Sequence, residues 1–574
     1  MKKPGSLVYL YLRLVFIFSV FFIPLVFIQR SEDAYYLPKY IILMGGLQLL
    51  GPVLLNLKTI KFDNTDRVMG LFMVFYVIGI FRSPDIYTGV FKYLEWPACA
   101  GFYFFGRYFL GAREVKKVIL AALASAFLAS AYAGLQVLNI DLAGWITNFG
   151  GRAFSSFGNP DFFGGFLVLI IPLSAIVYYY GKKKLSYCLM LFFILILILS
   201  QTRSSIAAMA VSLALMIFLF PGYFKQGAKF FIPGILLIAL LIGLSGKASH
   251  LAERIKSFSD IKNADLQGRV QMWAAGARMI KKHPVLGSGI YSVKTKFHGF
   301  YKGGGKYFET DRLHNDYIEV AAESGAGAGI LFIITIALLF YGLLRKGDTG
   351  AKIAAASIAG LCAHAFLNFP FYIIPTKLYF FLIAGLGLNA VKKIPVTGVT
   401  VPAVYGVSAG ALIILFTVNL TGSIYLNYAI NSLNGKNYNE AEKFLEKSRV
   451  FYRGEEVYYY TGRLFYETQK HEWAERSLNK YLEYMPMSKR ARILLSIIYA
   501  EKGEYKKAIG YLDGFLSKYP GDNDVLNNKG KMLYLSGDAK GAMEIYRQVL
   551  KNDPYNRTAE YNFKAIYINK GRRE

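Results

Sequence analysis

The sequence is poor in charged residues, cysteine and histidine. Only 18% of its 574 residues are charged, whereas soluble domains reach about a quarter. The three cysteines, Cys99, Cys188 and Cys362, all lie in apolar segments, so no disulfide framework is indicated and the redox compartment stays open. The histidines show no metal-ligand spacing, and the Gly- and Lys-rich stretch 303–306 lacks the spacing of a Walker loop. We therefore expect no metal site and no cofactor, and we interpret the stretch 303–306 as a flexible lid or linker.

The chain instead carries hydrophobic residues in long runs, and they make up 54% of the sequence. Runs of this length and composition are predicted to cross a bilayer as helices. There are thirteen such segments, at 9–28, 39–57, 68–82, 87–108, 117–138, 161–180, 185–201, 204–220, 229–246, 317–343, 353–370, 372–391 and 402–421. The predicted fold class is therefore all-α. A polytopic membrane helical bundle of about 12–13 spans occupies residues 1–421, and a helical domain occupies residues 422–574.

Basic residues between the apolar runs indicate the orientation of the chain. The formal net charge of +29 could suggest nucleic acid. Outside the C-terminal part, however, Lys and Arg cluster in short loops, which is typical of topology signals and lipid headgroup contacts. With the first run retained as a span and the N-terminus in the cytoplasm, nineteen Lys and Arg lie in inside loops and five in outside loops. This bias places loops 139–160 and 247–316 and the C-terminal tail outside the cytoplasm, and no nucleic-acid partner is expected.

The C-terminal part is an array of repeats. Ala441, Ala474, Ala508 and Ala542 recur at intervals of 33 or 34 residues, and the same period relates three prolines, two glycines and a series of large apolar residues. A period of about 34 residues with small, aromatic and terminal proline positions is typical of tetratricopeptide repeats. We predict an α-solenoid of about four helical hairpins and a final helix near 557–570, with a concave groove for a protein partner.

Three residues in or near the polar block 268–329 are candidates for chemistry. Arg203, at the predicted outer surface, is either a bidentate clamp for a diphosphate or a side chain that reaches lipid headgroups. Arg269 begins a predicted amphipathic surface helix, where a solvated arginine is the alternative. His314 lies near the positive end of a predicted helix dipole. It is a general base, a cation that pairs with a phosphate, or a structural residue.

Neighbouring polar residues extend this candidate site. Arg152 is a further candidate phosphate contact, and Asn159 is predicted at a turn into the sixth span. Arg312 and Asn315 flank His314 and are taken with it as substrate-binding candidates. Acidic residues follow on the same helix start, where the helix dipole favours them, and capping is their simplest explanation; they are Asp316, Glu319 and Glu323.

Four blocks of this sequence together resemble the O-antigen ligase and polymerase superfamily of bacterial polysaccharide-assembly enzymes. The blocks are FGNPD at 157–161, SQTRSS at 200–205, GRVQMWAAGARMIKKHPVLGSGI at 268–290 and LHNDYIEVAAESGAGAG at 313–329. The blocks follow one another in this order between residues 157 and 329, and the resemblance extends over most of the first 420 residues. The blocks do not separate the branches of the superfamily, and a tetratricopeptide tail is not diagnostic of any branch.

The resemblance implies a glycosyltransferase with a GT-C-like fold. Such enzymes take a glycan from undecaprenyl diphosphate at the outer face of the bacterial inner membrane. Ligases of this family are metal-independent and inverting, and an outer-face Arg and a loop His are essential in them. Matched by motif, these two residues are Arg203 and His314, with Arg269 as a second basic residue. We expect Arg203 and Arg269 to hold the diphosphate, while His314 takes the proton of the acceptor hydroxyl or helps to bind the diphosphate.

The leading hypothesis is therefore ligase-like transfer of a glycan to the hydroxyl of a glycolipid, glycan or protein acceptor. An unknown protein is expected to bind the tetratricopeptide domain, which is predicted to be extracytoplasmic. A repeat-unit polymerase and a protein O-oligosaccharyltransferase are the enzymatic alternatives. A non-catalytic membrane scaffold or a transporter, with the repeats as its working part, is the alternative from another class. Because a thirteenth span and the repeats exceed the twelve-span layout of ligases, the acceptor could differ from lipid A core.

Overall fold

The computed structural model describes residues 4–31, 33–144, 149–244, 264–302, 307, 310–389 and 403–571. These residues form helices and turns without a strand, so the all-α prediction is confirmed. The helices before the repeats are Pro4–Phe22, Leu37–Leu43, Gly45–Leu55, Asn64–Ile78, Ile86–Tyr108, Ala112–Val137, Pro160–Leu173, Ile176–Tyr179, Lys183–Leu199, Arg203–Leu219, Pro221–Leu244, Ala264–Lys282, Ser292–Phe300, Asp316–Ser324, Ala326–Lys346, Thr349–Leu367 and Ile374–Gly387. Short 3₁₀ turns occur at Gly79–Arg82, Ser155–Phe157 and Pro370–Tyr372.

The apolar helices agree with a multi-pass membrane protein. Among the described residues, seven helical segments are long and apolar enough to cross a bilayer, and three shorter apolar helices accompany them. The seven are Leu37–Leu54, Asn64–Arg82, Ala112–Val137, Pro160–Tyr179, Pro221–Leu240, Ala326–Lys346 and Thr349–Leu367. The total of thirteen spans stays a prediction, as does their orientation.

The chain divides into two compact units. One comprises Met1–Val293 and Arg312–Leu420, and the other comprises Lys294–Asp311 and Thr421–Glu574. A segment of the large predicted loop thus belongs to the same unit as the repeats, while the loop residues on either side of it belong to the membrane unit. The first part of that loop, the stretch 303–306 and the end of the twelfth predicted span lie outside the described residues.

The tenth predicted span, 317–343, is wrong at its start. The structure has a short helix, Asp316–Ser324, and begins the long apolar helix only at Ala326. Gly325 separates the two with φ +92°, a conformation that L side chains rarely adopt, and a Cβ there would lie 2.1 Å from the carbonyl oxygen of Val285. The short helix is therefore a separate element that carries the three acidic residues outside the apolar span.

Close backbone contact joins two helices in the membrane unit. A Cβ on Gly46 would lie 2.2 Å from the carbonyl oxygen of Ala98, and one on Gly101 would lie 2.0 Å from the carbonyl oxygen of Gly46. Helices Gly45–Leu55 and Ile86–Tyr108 therefore meet through glycine, as helices in bilayers commonly do because small residues let backbones approach. This contact positions helix Ile86–Tyr108, which carries the buried Glu95.

From Thr421 onward the C-terminal helices form the predicted α-solenoid, and the first of them, Ala403–Asn434, begins in the membrane unit. The helices are Ala403–Asn434, Tyr438–Phe451, Glu456–Glu467, His471–Tyr484, Lys489–Glu501, Tyr505–Leu516, Asn523–Leu535, Ala539–Asn552 and Arg557–Gly571. All four repeat alanines, at 441, 474, 508 and 542, are fully buried between paired helices. The turn inside each hairpin has one residue with positive φ, and these residues are Lys436, Gln469, Gly503 and Gly537. The repeat therefore preserves a backbone conformation even where glycine is missing.

Candidate functional site

Arg152 holds together three chain segments at one end of the membrane bundle. Its Nε donates to the carbonyl oxygen of Ser200 at 2.8 Å, and its Nη2 lies 2.7 Å from Asp161 Oδ1 and 3.1 Å from Thr202 Oγ1. The hydroxyl of Thr202 also donates to Asp161 Oδ1 at 3.0 Å. Arg152 thus has a carboxylate counter-ion, and the structure places it as a brace beside Arg203.

Asn159 caps a helix in this brace. Its side-chain oxygen accepts from the N–H of Asp161 at 2.8 Å, at the start of helix Pro160–Leu173. This contact supports one of the N–H groups that a helix start leaves without a backbone partner. The local contacts of Asn159 and Arg152 therefore position the chain around the site, and their predicted binding of substrate stays a prediction.

Arg203 is the first residue of helix Arg203–Leu219, directly after the tight turn that joins it to Lys183–Leu199. Gln201 adopts φ +52° in this turn, which lets two apolar helices follow each other almost without a loop. Arg203 is half-buried, and the next residue, Ser204, is buried. The hydroxyl of Ser204 accepts from the side-chain amide of Asn368 at 3.5 Å. The start of this helix is thus tied to the segment that follows helix Thr349–Leu367.

Arg269 and Asn315 bind the C-terminus of that same helix. Arg269 Nη1 donates to the carbonyl oxygen of Leu367 at 2.7 Å, and Asn315 Nδ2 donates to that of Phe366 at 3.1 Å. Helix C-termini leave carbonyl oxygens unpaired and carry the negative end of the helix dipole, so they favour such donors. Asn315 also caps helix Asp316–Ser324 by accepting from the N–H of Ile318 at 3.0 Å.

His314 is held in an unusual backbone conformation beside these residues. Its φ is +52°, in the left-handed region that costs a non-glycine residue about 1–2 kcal/mol. Its carbonyl oxygen accepts from Trp273 Nε1 at 3.4 Å, and its ring meets that of Phe369 edge-on with 4.8 Å between centroids. A strained residue that its neighbours hold in place is a reasonable candidate for function.

The candidate residues therefore converge on one segment, residues 366–369. Arg269 and Asn315 bind its helix-terminal carbonyls, Asn368 reaches the helix start that carries Arg203, and Phe369 packs on His314. Sequence reasoning did not include residues 366–369 in the site. Their contacts involve chain segments some 50 to 165 residues away, which no local pattern reveals.

His364 is a second residue that sequence reasoning set aside. It is buried, its ring occupies the space that a Cβ on Gly165 would fill, and it interacts electrostatically with Asp161 and Arg269. Because His364 shows no metal-ligand spacing, it is not among the predicted site residues. An ionisable residue inside an apolar span is itself a signal for function, and this signal would have identified it.

Arg312 is enclosed in a buried ionic cluster behind His314. Its Nη1 lies 2.8 Å from Glu319 Oε1, its guanidinium lies 3.4 Å from the ring centroid of Tyr372, and Glu319 Oε2 accepts from the N–H of Leu313 at 2.8 Å. Burial alone would lower the pKa of Arg312, but Tyr372 and Glu319 outweigh it and the pKa lies well above its ordinary value. The structure thus gives Arg312 the surroundings of an anchor for the His314 turn, and its predicted contact with substrate stays a prediction.

Asp316 and Glu319 lie in the first turn of the helix, as their sequence-based explanation requires, but the acidic residues after His314 also make contacts that a helix start does not explain. The cap is Asn315, and each carboxylate contacts another chain segment. Asp316 Oδ2 accepts from the N–H of Phe371 at 3.0 Å, and Glu323 Oε1 accepts from the N–H of Val293 at 3.2 Å. Burial and the nearby Glu319 raise the pKa of Asp316 well above its ordinary value, and the same two causes raise that of Glu323 to about 7.

A lysine–glutamate pair completes this cluster. Glu95 is fully buried; its carboxylate lies 2.5 Å from Lys377 Nζ and 3.6 Å from Lys92 Nζ, and it also accepts from the Tyr36 hydroxyl. Lys92 in turn lies 4.1 Å from the ring centroid of Tyr372, the ring that Arg312 covers. A small cavity is lined by Glu95, Lys377, Arg312 and the three acidic residues. Among the described residues, no group of three or more His, Cys, Asp or Glu could hold a metal ion.

The apolar helices indicate a multi-pass membrane protein, and Arg269, Ser204 and His314 each contact the segment 366–369. Residues 188–333 match the family model described as O-antigen ligase. Residues 459–523 and 499–557 match the model described as tetratricopeptide repeat. These matches confirm the resemblance to the O-antigen ligase superfamily and the tetratricopeptide repeats that the motifs predict. No curated protein matches the chain.

Several solved structures are similar to parts of the chain. One is YrrB, a TPR protein with an unusual peptide-binding site, with 18% identity over 28% of this chain and 81% of that chain and a TM-score of 0.24. Another is MamA from Desulfovibrio magneticus RS-1, with 16% identity over 26% and 86% and a TM-score of 0.24. The APC/C hetero-tetramer Cut9–Hcn1 has 13% identity over 79% and 93% and a TM-score of 0.25.

Proposed function

We propose that this protein transfers a glycan from undecaprenyl diphosphate to an acceptor hydroxyl at the extracytoplasmic face of the bacterial inner membrane. The ligase or polymerase type of function is supported by the family match at residues 188–333. The observation that carries the proposal is the convergence on residues 366–369, where the surroundings of Arg203, Arg269 and His314 meet. In this proposal the fold is GT-C-like, and the repeats are extracytoplasmic.

The chemistry follows from the charge that the reaction develops. As the bond between sugar C1 and the diphosphate oxygen breaks, negative charge accumulates on the diphosphate leaving group. Fixed cations in a site with little water stabilise such charge without reorganisation, and this is usually the largest catalytic contribution. Arg203 and Arg269 supply permanent positive charge, and a guanidinium matches two phosphate oxygens at once. The proposed reaction needs no metal and no cofactor.

His314 has two proposed roles. As a general base, its neutral ring takes the proton of the acceptor hydroxyl while the oxygen forms its bond to C1 on the face opposite the diphosphate, which inverts the configuration. As a phosphate ligand, its protonated ring adds a third cation. Loss of a general base typically lowers the rate by about 10²–10⁴. A loss below tenfold in His314→Ala would contradict the first role.

Transfer by the purified protein tests the proposal. Detergent-solubilised protein is mixed with undecaprenyl-diphosphate-linked glycan and candidate acceptors, with and without EDTA, and the product is followed. We expect EDTA-insensitive transfer that Arg203→Ala, Arg269→Ala and His314→Ala each strongly reduce. Arg67→Ala is the matched control, because Arg67 is an exposed residue of helix Asn64–Ile78. Equal activity of all four variants would contradict the proposed site.

The polymerase and the protein O-oligosaccharyltransferase use the same donor, so the acceptor separates them. In a strain that lacks the protein, loss of a polymerase leaves single repeat units on the carrier, whereas loss of a ligase leaves long carrier-linked chains. Loss of a protein glycosyltransferase removes the glycan from protein instead. Each outcome assigns one acceptor class to the same proposed site.

A non-catalytic scaffold predicts the opposite dependence on residues. In that case Arg203→Ala and His314→Ala leave the phenotype unchanged, while removal of residues 425–574 abolishes it. The transferase proposal expects both substitutions to reproduce the phenotype of the deletion strain, provided that immunoblots show normal protein levels.

A further inference from the structure

The repeats are packed against a segment of the same chain. Lys294–Asp311 forms one compact unit with Thr421–Glu574, although its flanking residues, Val293 and Arg312, belong to the membrane unit. Most of the described part of this segment is the end of helix Ser292–Phe300 and the residues that follow it. This loop segment is therefore assigned to the repeats, and specific side-chain contacts hold it there.

An aromatic cluster holds the segment. His298 Nδ1 and the Tyr519 hydroxyl form a short hydrogen bond, and both residues are buried. The ring of Tyr307 lies 4.9 Å from Phe515 and 5.1 Å from Tyr519, measured between centroids. Burial, with a smaller contribution from Lys518, lowers the pKa of His298 to about 4, so the ring is neutral near pH 7 and can share one hydrogen bond with a phenol. Aromatic pairs of this geometry add stability beyond the area they bury.

Charged contacts accompany the cluster. Lys294 Nζ lies 2.7 Å from Glu455 Oε1, and both side chains are largely buried. Lys489 Nζ lies 5.7 Å from the ring centroid of Tyr307, within the range of a cation–π contact. The segment therefore contacts the repeats at two separated places, near Glu455 and near Tyr519.

The contact residue Tyr519 is specific to one repeat. It directly precedes Pro520, and the matching positions before Pro486 and Pro554 hold Met485 and Asp553. Packing between repeats therefore does not demand tyrosine at this position, because its neighbours are built without it. The contacts of Tyr519 with His298 and Tyr307 therefore belong to this one repeat.

We propose that the tetratricopeptide repeats bind residues 294–302 and Tyr307 of the same chain as an internal ligand and restrain them. The inference is independent of the proposed transfer reaction, because it concerns contacts within one unit. The occupant of this surface is an aromatic and basic segment of the same chain, and a foreign protein on this face would have to displace it.

Hydrogen exchange of the full-length protein tests this binding. In Tyr519→Met, which installs the residue of the preceding repeat, we expect amide exchange in helix Ser292–Phe300 to accelerate by about tenfold or more because local opening becomes easier. Exchange in helix Asn523–Leu535 should stay as in the wild type. Tyr555→Met is the matched control, since Tyr555 is 91% exposed. Unchanged exchange in the segment, or equal acceleration throughout the repeats, would overturn the proposal.

A charge exchange provides a second, independent test. Lys294→Glu should accelerate exchange in helix Ser292–Phe300 severalfold, because it places two carboxylates where the ion pair was. The double variant Lys294→Glu/Glu455→Lys should recover most of the protection. A double variant with exchange as fast as that of the single variant, while the repeats keep theirs, would contradict binding of the segment at Glu455. Neither test depends on transferase activity, so a failed transfer assay leaves the inference standing.

Discussion

Removal of Lys377 gives a quantitative test of the buried ionic cluster. The carboxylate of Glu95 lies 2.5 Å from Lys377 Nζ, and the two side chains are 1% and 3% exposed. Lys377→Met keeps the approximate volume of the side chain but leaves Glu95 with Lys92 at 3.6 Å and the Tyr36 hydroxyl. Breaking a buried pair on one side costs about 3–5 kcal/mol because it leaves an uncompensated charge. We expect the lower end, about 3 kcal/mol, since two partners remain.

The double variant separates charge from shape. Glu95→Gln/Lys377→Met removes both charges, and replacing a buried pair by neutral side chains is often close to neutral in stability. It should therefore be more stable than Lys377→Met alone, whereas two additive destabilising substitutions would make it less stable. Unfolding of the purified protein in detergent, followed by tryptophan fluorescence near Trp96, measures both. Lys117→Met is the control, because Lys117 is exposed and such changes stay within about 0.5 kcal/mol. A single variant as stable as the wild type, or a double variant less stable than the single one, would refute the reasoning.

Three further predictions concern the site. Arg203→Lys keeps the charge but loses the bidentate fork, so transfer should fall by about tenfold or more and stay above that of Arg203→Ala; equal rates of Arg203→Lys and the wild type in the transfer assay would contradict a bidentate contact. His314→Gly should be about 1 kcal/mol more stable to unfolding than His314→Ala, since glycine relieves the left-handed backbone, while both lose activity; a less stable glycine variant would argue against strain. Between the ordinary pKa of 4.5 and about 7, the folded protein keeps the proton on Glu323 that the unfolded chain has lost, so the free energy of unfolding should fall as the pH rises through this window and then level off. Glu323→Gln should remove this part of the pH dependence in denaturant titrations, and identical pH profiles would contradict the raised pKa.

The sequence predicts the architecture well where the signal is periodic. Apolar runs indicate a membrane bundle, and the spacing of Ala441 to Ala542 indicates the repeats, because both patterns reflect burial along a single helix face. The break at Gly325 is missed, because an isolated glycine in an apolar run is compatible with an uninterrupted helix. Only the folded chain shows that Val285 lies so close to Gly325 that the helix is interrupted there.

The site is predicted only in part, for a different physical reason. Motifs identify Arg203, Arg269 and His314 as candidates, yet what surrounds them depends on contacts between distant segments. Glu95 and Lys377 are 282 residues apart, and neither belongs to a motif. Their pairing appears only once helices are packed, because a buried charge must find a partner wherever the fold provides one.

The hairpin turns with positive φ have a consequence for how the array is counted. The turns at Lys436 and Gln469 keep the conformation of Gly503 and Gly537 with side chains that are poorly suited to it. The repeat match begins at residue 459, so it includes the turn at Gln469 but not the turn at Lys436. The backbone conformation of the turns therefore indicates the number of repeat units better than the positions of glycine do. Replacing Lys436 and Gln469 by glycine should stabilise the solenoid, because glycine adopts positive φ without strain.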